Sequence, residues 1–238
     1  MTPDRYELSV VVLCFGAGES IHTVLEPLCA LLDGVDVAYE LVLVANYWPG
    51  DADSTPEIVR RFAASRENVV VLDEEKRGGM GWDMRAGFAA ASGEYLVVID
   101  GDAQNPVEDV WRMLELLRRT KADVGKGVRT NRADGLYRRV VSGAYNTLFR
   151  LLFGTWDLWD VNGKPKGLTR SAYERLSLES DDWFVDAEIV LSARRSGMEI
   201  VQLPVVFREN KERSSFVRVT SIWEFVGHMV RYRLRGRV

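Results

Sequence analysis

The sequence predicts an α/β protein with one domain, in which helices cover both faces of a mostly parallel sheet. The first observation is that short runs of β-branched and aliphatic residues alternate with longer amphipathic stretches. The second is that these runs are almost continuously apolar, as strands buried on both faces require. The third is size, because 238 residues with 47% hydrophobic content suit one domain with a full core.

Four apolar runs in the first half predict strands, and the stretches between them repeat apolar residues at helical spacing. The predicted strands are Leu8–Phe15, Tyr39–Ala45, Asn68–Asp73 and Glu94–Ile99, and the predicted helices are Glu19–Leu32, Thr55–Ala64 and Gly81–Ala91. Beyond Pro106 the pattern is less regular. It predicts helices from Pro106 to about Arg119, at Tyr137–Phe153 and at Asp186–Ser196. It also predicts strands at Ala122–Val128 and Glu199–Phe207, and a loop at Gly154–Lys166.

The composition limits the classes of function and the compartment. A net charge of −4 argues against a general nucleic-acid binder, so no nucleic-acid partner is expected. Two cysteines are too few for a disulfide framework and fit a reducing cytoplasm. The first apolar run is too short and too β-branched for a convincing signal peptide, and no run reaches the ~18 apolar residues of a membrane span. We expect a cytoplasmic protein whose contact with the membrane, if any, is peripheral and on the cytoplasmic face.

Two carboxylates follow the fourth predicted strand, at the edge where parallel sheets bind ligands. Asp100 and Asp102 are one residue apart, and Gln104 comes next. A hard divalent ion can bridge the phosphates of a nucleotide diphosphate to one or two carboxylates. The pattern therefore predicts a Mg²⁺ or Mn²⁺ site, with Asp102 as a ligand, Gln104 as a carbonyl ligand and Asp100 close by or joined through water. The alternative is a turn with an Asx cap before the next helix.

Basic residues outside this motif suggest phosphate contacts. Arg77 lies in the glycine-rich stretch Lys76–Gly81, whose amides and cations suit the phosphates of a nucleotide diphosphate. A plain flexible connection is nearly as good an interpretation. Arg138 and Ser142 are spaced i, i+4 and share one helix face. Together with Arg129 they are candidates to hold the phosphate of a second substrate, the acceptor of a transferred group, because guanidinium groups bind phosphate with paired charged hydrogen bonds. The alternative for these residues is a solvated basic helix face.

Further polar residues of the second half are candidates for the acceptor side. Glu188, with Asp186, precedes an apolar helical stretch and could supply the base for a hydroxyl acceptor. Both are equally typical of acids at the start of a helix. Lys164, in the predicted loop with Asn162 and Lys166, is a candidate for the diphosphate or acceptor pocket, although surface lysines are common.

The chain resembles the family 2 glycosyltransferases, and within them the polyprenyl-phosphate (dolichol-phosphate) mannosyltransferase-like branch. The matching segments in the first half are Ser9-Val-Val-Val with Glu19, Tyr39-Glu-Leu-Val-Leu-Val, Asp53-Ser-Thr, Gly78 to Gly81 with Arg85 and Gly87, Ala91-Ser-Gly-Glu-Tyr and Asp100-Gly-Asp-Ala-Gln. Those in the second half are Gly127-Val-Arg129, Arg138 with Ser142, Asn162-Gly-Lys-Pro-Lys166, Asp186-Ala-Glu188 and Leu203-Pro204. The resemblance covers almost the whole of the main domain.

This resemblance implies a GT-A fold with a Rossmann-like sheet, a nucleotide-diphosphate sugar donor, a Mg²⁺ or Mn²⁺ ion, and transfer with inversion. It places Phe15 and Glu19 after the first strand and Asn46 after the second in the donor site. The chain departs from the family there, with Leu13-Cys-Phe-Gly-Ala17, Ala45-Asn46 and a longer loop at Tyr47–Ala52. The preference for a base therefore stays open.

The C-terminal segment differs from the rest in charge. Residues 205–238 carry eight Arg or Lys against three Glu, which is +5 and leaves −9 for the remainder. We expect residues 1–216 to form the catalytic domain and 217–238 a basic amphipathic helix. This helix would contact an anionic membrane surface, pack on the domain or contact a partner.

The functional hypothesis is an inverting, metal-dependent glycosyltransferase that moves a sugar from a nucleotide-diphosphate sugar to a polyprenyl phosphate. The first alternative is a family 2 transferase that acts on a saccharide hydroxyl of a glycan acceptor. The second is a non-catalytic module that binds nucleotide sugar or lipid. A nucleotidyltransferase is a more distant alternative, because no glycine-rich signature with its lysine directly follows the first strand.

Overall fold

A computed structural model describes residues 6–132 and 135–208, together with residues 227, 229, 232 and 233. Side chains are described for 6–130, 143–208 and those four residues. Within these ranges the chain forms seven strands and seven α-helices, with one 3-10 helix at Gly18–Ile21. The predicted α/β class is confirmed.

The predicted helices and strands are present, with ends that shift by a few residues. The strands are β1 (Leu8–Leu13), β2 (Tyr39–Val44), β3 (Val69–Leu72), β4 (Tyr95–Asp100), β5 (Val124–Arg132), β6 (Lys166–Thr169) and β7 (Ile200–Phe207). The helices are α1 (His22–Asp33), α2 (Thr55–Ala63), α3 (Met80–Ala90), α4 (Glu108–Thr120), α5 (Gly135–Phe153), α6 (Arg170–Arg175) and α7 (Val185–Arg195).

The strands form one sheet in the order β3-β2-β1-β4-β6-β5-β7. Strand β6 is antiparallel to both of its neighbours, and the other described pairings are parallel. The last residues of four strands stand in one row, because Leu13 pairs with Val44 and Asp100, and Val44 pairs with Leu72. Their carboxyl ends therefore open onto one edge, which is where ligands of such sheets bind.

Strand β6 and helix α6 were not predicted. The strand has only four residues and contains Lys166 and Gly167, which apolar patterning does not identify as a buried strand. Lys166 is nevertheless fully buried, and Gly167 fits because a Cβ there would lie 2.7 Å from Leu117. Thr169 then caps α6 by accepting a hydrogen bond from the Ala172 N–H.

The core has two layers, one on each face of the sheet. Helices α1, α2 and α4 cover one face, and α3, α6 and α7 cover the other. A third cluster joins α5 to α7 through Phe149 and Phe184, and it includes Met229 and Tyr232. Both of these C-terminal side chains are buried, whereas Gly227 and Arg233 are exposed. The predicted boundary at 216/217 lies outside the described residues.

Candidate functional site

The metal motif lies where the sequence predicts it, at the carboxyl end of β4. Gly101 donates its N–H to the Leu13 carbonyl at 2.9 Å, which folds the loop over the end of β1. A Cβ on Gly101 would lie 2.8 Å from that oxygen and 2.7 Å from Ile21, so the position admits only glycine without a shift. The close approach of backbone to backbone explains the glycine between the two acids.

Asp100 is paired with a buried lysine from a distant part of the chain. The Nζ of Lys164 lies 2.7 Å from the Asp100 Oδ1, and the lysine side chain is 4% exposed whereas that of Asp100 is 31% exposed. Burial acts to lower the pKa of Lys164, but Asp100, Asp186 and Asp102 outweigh it and raise the pKa above its ordinary value. The ammonium therefore stays charged beside the motif.

Asp102 and Gln104 lie in the loop that leads to α4. The Asp102 Oδ1 accepts a hydrogen bond from the Gln104 N–H at 3.0 Å, in agreement with the Asx turn that was the alternative to a metal site. Gln104 also pairs with Arg208, since its backbone carbonyl accepts from the Arg208 N–H at 2.8 Å and its Nε2 donates to the Arg208 carbonyl at 3.1 Å. The turn and a ligand role are compatible for Asp102, whereas Gln104 serves to join this loop to the end of β7. Its metal role stays a prediction.

The carboxylates suit an ion that takes most of its ligands from elsewhere. Within the described ranges, no three His, Cys, Asp or Glu side chains come together to hold a metal. Mg²⁺ is usually held by one or two carboxylates, with substrate phosphates and waters completing the octahedron. The oxygen-only pair Asp100 and Asp102 fits Mg²⁺ or Mn²⁺ that arrives with a diphosphate.

Asn46 is a buried hub between two loops at the same edge. Its Oδ1 accepts from the Glu74 N–H at 2.8 Å, and its Nδ2 donates to the Asp83 Oδ1 at 2.9 Å. Asp83 also pairs with the buried Lys76. Burial raises the pKa of Asp83, and the hydrogen bonds and charge of Lys76 and Asn46 oppose that rise. These contacts give Asn46 a structural role, and its predicted place in the donor site stays a prediction.

Two aromatic rings lie beside the Lys76 ammonium. Its Nζ is 4.6 Å from the centre of the Phe15 ring and 5.8 Å from that of Trp48, within the range of cation–π attraction. Trp48 is 40% exposed. Phe15 thus lies at the predicted edge, and the sequence interpretation missed Trp48 as its neighbour. The only available signal was the aromatic pair in the lengthened loop Tyr47–Ala52.

The glycines just before α3 and in its first turn serve packing. A Cβ on Gly81 would lie 2.4 Å from the Ser180 carbonyl oxygen, and one on Gly78 would lie 2.9 Å from the Asp181 side chain. The loop before α7 therefore lies directly on this stretch. This contact explains the glycines without a phosphate. Arg77 is exposed in the same loop, so its phosphate role stays a prediction.

Glu19 faces outward rather than toward the carboxylates. It lies in the 3-10 helix after β1, 75% exposed, with an oxygen 3.6 Å from Arg61 and another 3.7 Å from His22. Exposed pairs of this kind contribute little to stability. A contact between Glu19 and the donor stays a prediction.

Arg129 is bound by an acid of the predicted loop. Its Nε lies 2.7 Å from the Asp160 Oδ2, its Nη2 contacts Oδ1, and its backbone N–H donates to Oδ2 at 3.0 Å. The guanidinium also lies 5.1 Å from the centre of the Phe207 ring. Asp160 therefore fixes the orientation of the side chain that we predicted to bind acceptor phosphate.

Two fully buried lysines donate hydrogen bonds to backbone carbonyls of the loop that contains Asp160. Lys126 donates to the carbonyls of Gly127 and Trp159. Lys166 donates to the Val161 carbonyl at 3.0 Å and pairs with Asp186. Burial, with a smaller contribution from the charge of Lys166, lowers the pKa of Lys126 to about 7. The sequence interpretation missed Lys126, because an apolar setting for a lysine leaves no signal in composition.

The two acids considered as bases are both buried and engaged. Glu188 is 2% exposed, and its oxygens accept from the N–H groups of Glu179 at 3.1 Å and Ser180 at 2.9 Å. Asp186 is also 2% exposed and pairs with Lys166. Both lie in the first turn of α7, where the helix dipole favours acids. The structure thus assigns each a structural contact, and catalysis by Glu188 stays a prediction.

Arg138 and Ser142 both lie in α5, so they share a helix as predicted. Their side chains lie outside the described part of the molecule. Among the helices that are described, none is long and apolar enough to cross a bilayer.

Known proteins resemble this chain over most of its length. It is 30% identical over 207 residues to glycosyltransferase AglD of Haloferax volcanii, covering 84% of this chain and 32% of that protein. It is 31% identical over 151 residues to the dodecaprenyl-phosphate galacturonate synthase of Rhizobium johnstonii, covering 62% and 44%. The chain thus spans less than half the length of these relatives.

A solved structure with the same fold is glucosyl-3-phosphoglycerate synthase from Mycobacterium tuberculosis in complex with Mn²⁺, UDP and glucosyl-3-phosphoglycerate. The TM-score is 0.69 at 22% identity, covering 98% of this chain and 80% of that one. The implied GT-A fold is confirmed. A sequence model of the family described as Glycosyl transferase family 2 matches residues 9–177. Since this match covers well over half of the 238 residues, the chain belongs to glycosyl transferase family 2.

Proposed function

We propose that the chain carries the catalytic domain of an inverting glycosyltransferase that moves a sugar from a nucleotide-diphosphate sugar to a polyprenyl phosphate. The observation that carries the proposal is the pair Asp100 and Asp102 at the carboxyl edge of the sheet, with the ammonium of Lys164 at 2.7 Å from Asp100. Carboxylates and a cation in this arrangement suit a metal-bound diphosphate. The solved neighbours support the donor class, since they hold UDP with Mn²⁺ or Mg²⁺.

The names of the relatives support the acceptor class. Besides the dodecaprenyl-phosphate galacturonate synthase, the chain is 28% identical over 151 residues to the undecaprenyl-phosphate 4-deoxy-4-formamido-L-arabinose transferase of Pectobacterium carotovorum. The engagement of Glu188 and Asp186 agrees with such an acceptor. A lipid phosphate is already ionised at neutral pH, so its attack does not require a carboxylate base. Arg129, Arg138 and Ser142 remain the proposed contacts for that phosphate. Lys164 pairs with Asp100 and remains a candidate for either the diphosphate or the acceptor pocket.

In the proposed reaction, a phosphate oxygen of the acceptor forms a bond to the anomeric carbon while the bond from that carbon to the diphosphate breaks. The products are a sugar linked to the lipid phosphate and a nucleoside diphosphate. A bound Mg²⁺ or Mn²⁺ would supply Lewis-acid stabilisation of the charge on the departing diphosphate. Asp100 and Asp102 would hold that ion, and Asp160 would orient Arg129 toward the incoming phosphate.

A lipid acceptor requires that the domain reach a membrane surface. The segment between α5 and β6 exposes Trp156 by 60% and Trp159 by 57%, and Leu151 at the end of α5 is 63% exposed. Tryptophan is enriched where proteins meet the membrane interface. These side chains support a peripheral contact on this side of the molecule, in addition to the basic C-terminal segment.

Nucleotide binding tests the donor side. We expect one nucleoside diphosphate from a panel to raise the melting temperature in the presence of Mg²⁺ or Mn²⁺, and to raise it much less without the ion. Asp102→Asn should abolish the dependence on the ion. Asp36→Asn is the matched control, since Asp36 is an exposed acid between α1 and β2 at the opposite edge of the sheet. Stabilisation that is equal with and without the ion in the wild type would contradict the metal-bound donor.

The stereochemistry of the product tests the single displacement. A donor with an α-linked sugar should yield a β-linked sugar phosphate, as an NMR coupling constant of the anomeric proton would show. A product with the configuration of the donor would rule out the proposed one-step transfer.

A further inference from the structure

Lys164 is held beside Asp100 by hydrogen bonds to its own carbonyl and to that of the next residue. Its carbonyl accepts from the Asn105 Nδ2 at 2.8 Å, and the next carbonyl, of Pro165, accepts from the Gly127 N–H at 2.8 Å. The ammonium lies 3.0 Å from the Met80 sulfur as well as 2.7 Å from Asp100. Its place at Asp100 is therefore built by β5, the loop before α4 and the start of α3.

The Lys164 ammonium competes with a divalent ion for the Asp100 carboxylate. An ion held by Asp100 would share this carboxylate with the Lys164 ammonium, and like charges repel each other. The negative charge of a bound diphosphate would offset this repulsion. The motif with Lys164 is therefore a poor site for the ion alone and a good site for the ion together with a diphosphate.

We propose that Lys164 is a positioning residue that acts as the internal counterion of Asp100 and makes metal binding conditional on the nucleotide diphosphate. In the absence of donor, the ammonium neutralises Asp100 and disfavours a bound ion. When the diphosphate arrives, the same positive charge adds to its binding. This inference rests on the proposed donor class, but its main test uses the ion without nucleotide.

The test is the affinity of the intact chain for Mn²⁺ alone, measured from the EPR signal of the free ion. We expect Lys164→Met to bind Mn²⁺ at least about tenfold more tightly than the wild type, because Asp100 loses its competing cation. Lys164→Arg keeps the charge and should bind Mn²⁺ as weakly as the wild type. Lys121→Met is the matched control for the loss of one positive charge, since Lys121 is exposed at the end of α4.

The second arm measures UDP and GDP by calorimetry, each with and without Mn²⁺. Lys164→Met should bind the preferred one of the two more weakly than the wild type when the ion is absent, and should lose part of the cooperativity between ion and nucleotide. Lys164→Gln repeats both arms if the Met variant does not fold. Equal or weaker binding of Mn²⁺ alone by the folded variant would overturn the proposal. Failure of the wild type to bind either nucleotide would instead count against the proposed function.

Discussion

Replacement of Gly127 by alanine tests how closely the loop of Lys164 must lie on the sheet. A Cβ at this position would lie 2.3 Å from the Lys164 carbonyl oxygen and 2.6 Å from its carbonyl carbon. Real Cβ contacts of less than 3.0 Å are essentially unknown, and 3.0–3.4 Å is already tight. The loop must therefore retreat by roughly 0.7–1.1 Å, since backbone atoms in a packed interior cannot rotate aside.

Such a displacement moves the ammonium away from Asp100 and from the proposed donor site. We expect a loss of about 100-fold in turnover, because misplacement by ~1 Å is enough for that effect. The melting temperature should also fall, in line with an overpacking cost of about 1–3 kcal/mol.

Initial rates of sugar transfer and thermal unfolding of the same preparations measure both effects. Gly143→Ala is the matched control, since a Cβ there meets nothing within 4 Å and alanine suits the middle of α5. A Gly127→Ala variant with the melting temperature and turnover of the wild type would show that the loop of Lys164 need not lie this close to β5.

Three further changes test buried charged residues of the second half of the chain. Burial depresses the pKa of Lys126 to about 7 in the folded chain. Between pH 7 and the ordinary lysine pKa, the unfolded chain therefore binds one proton that the folded chain does not. The free energy of unfolding should rise with pH over this range. From pH 7.5 to 9.5 the wild type should gain up to about 2.7 kcal/mol more than Lys126→Met in urea unfolding, and parallel curves would contradict the shift. Asp160→Asn keeps the left-handed backbone that Asp160 adopts at φ 49° but removes the charge that holds Arg129, so we expect a loss of about 3–5 kcal/mol in the same assay. An unchanged urea midpoint would show that this pair adds nothing. Glu188→Gln should lower stability by about 1–3 kcal/mol, through weaker hydrogen bonds to Glu179 and Ser180, and leave the pH profile of turnover in place. Loss of a basic limb from that profile would instead favour a saccharide acceptor with Glu188 as base.

The parts of the fold that the sequence predicts are those with long apolar runs. Strands β1 to β4 are recognisable because each is an almost unbroken series of aliphatic residues. Strand β6 escapes detection because Lys166 and Gly167 occupy half of its four residues. A buried lysine is stabilised by partners that the fold supplies, so patterning alone does not reveal it.

In the candidate site, the sequence predicts where the carboxylates lie but not which side chains and N–H groups contact them. The location of Asp100 and Asp102 follows from the rule that ligands bind at the carboxyl ends of parallel strands, and it is as predicted. The pairing of Asp100 with Lys164 joins residues 64 positions apart and depends on how the loop before β6 crosses the sheet. Asn46 was singled out by the family resemblance and Glu188 by its residue type. Only the tertiary structure shows that backbone N–H groups of neighbouring loops occupy their oxygens.

The most direct measurement of the central claim is the transfer of radiolabelled sugar from nucleotide-diphosphate sugars into an organic extract that contains polyprenyl phosphate. We expect label in the lipid phase with one nucleoside diphosphate released per sugar, no such label when the divalent ion is chelated, and none with Asp102→Asn. Transfer only to a saccharide hydroxyl, or transfer to lipid that continues undiminished after chelation, would contradict it.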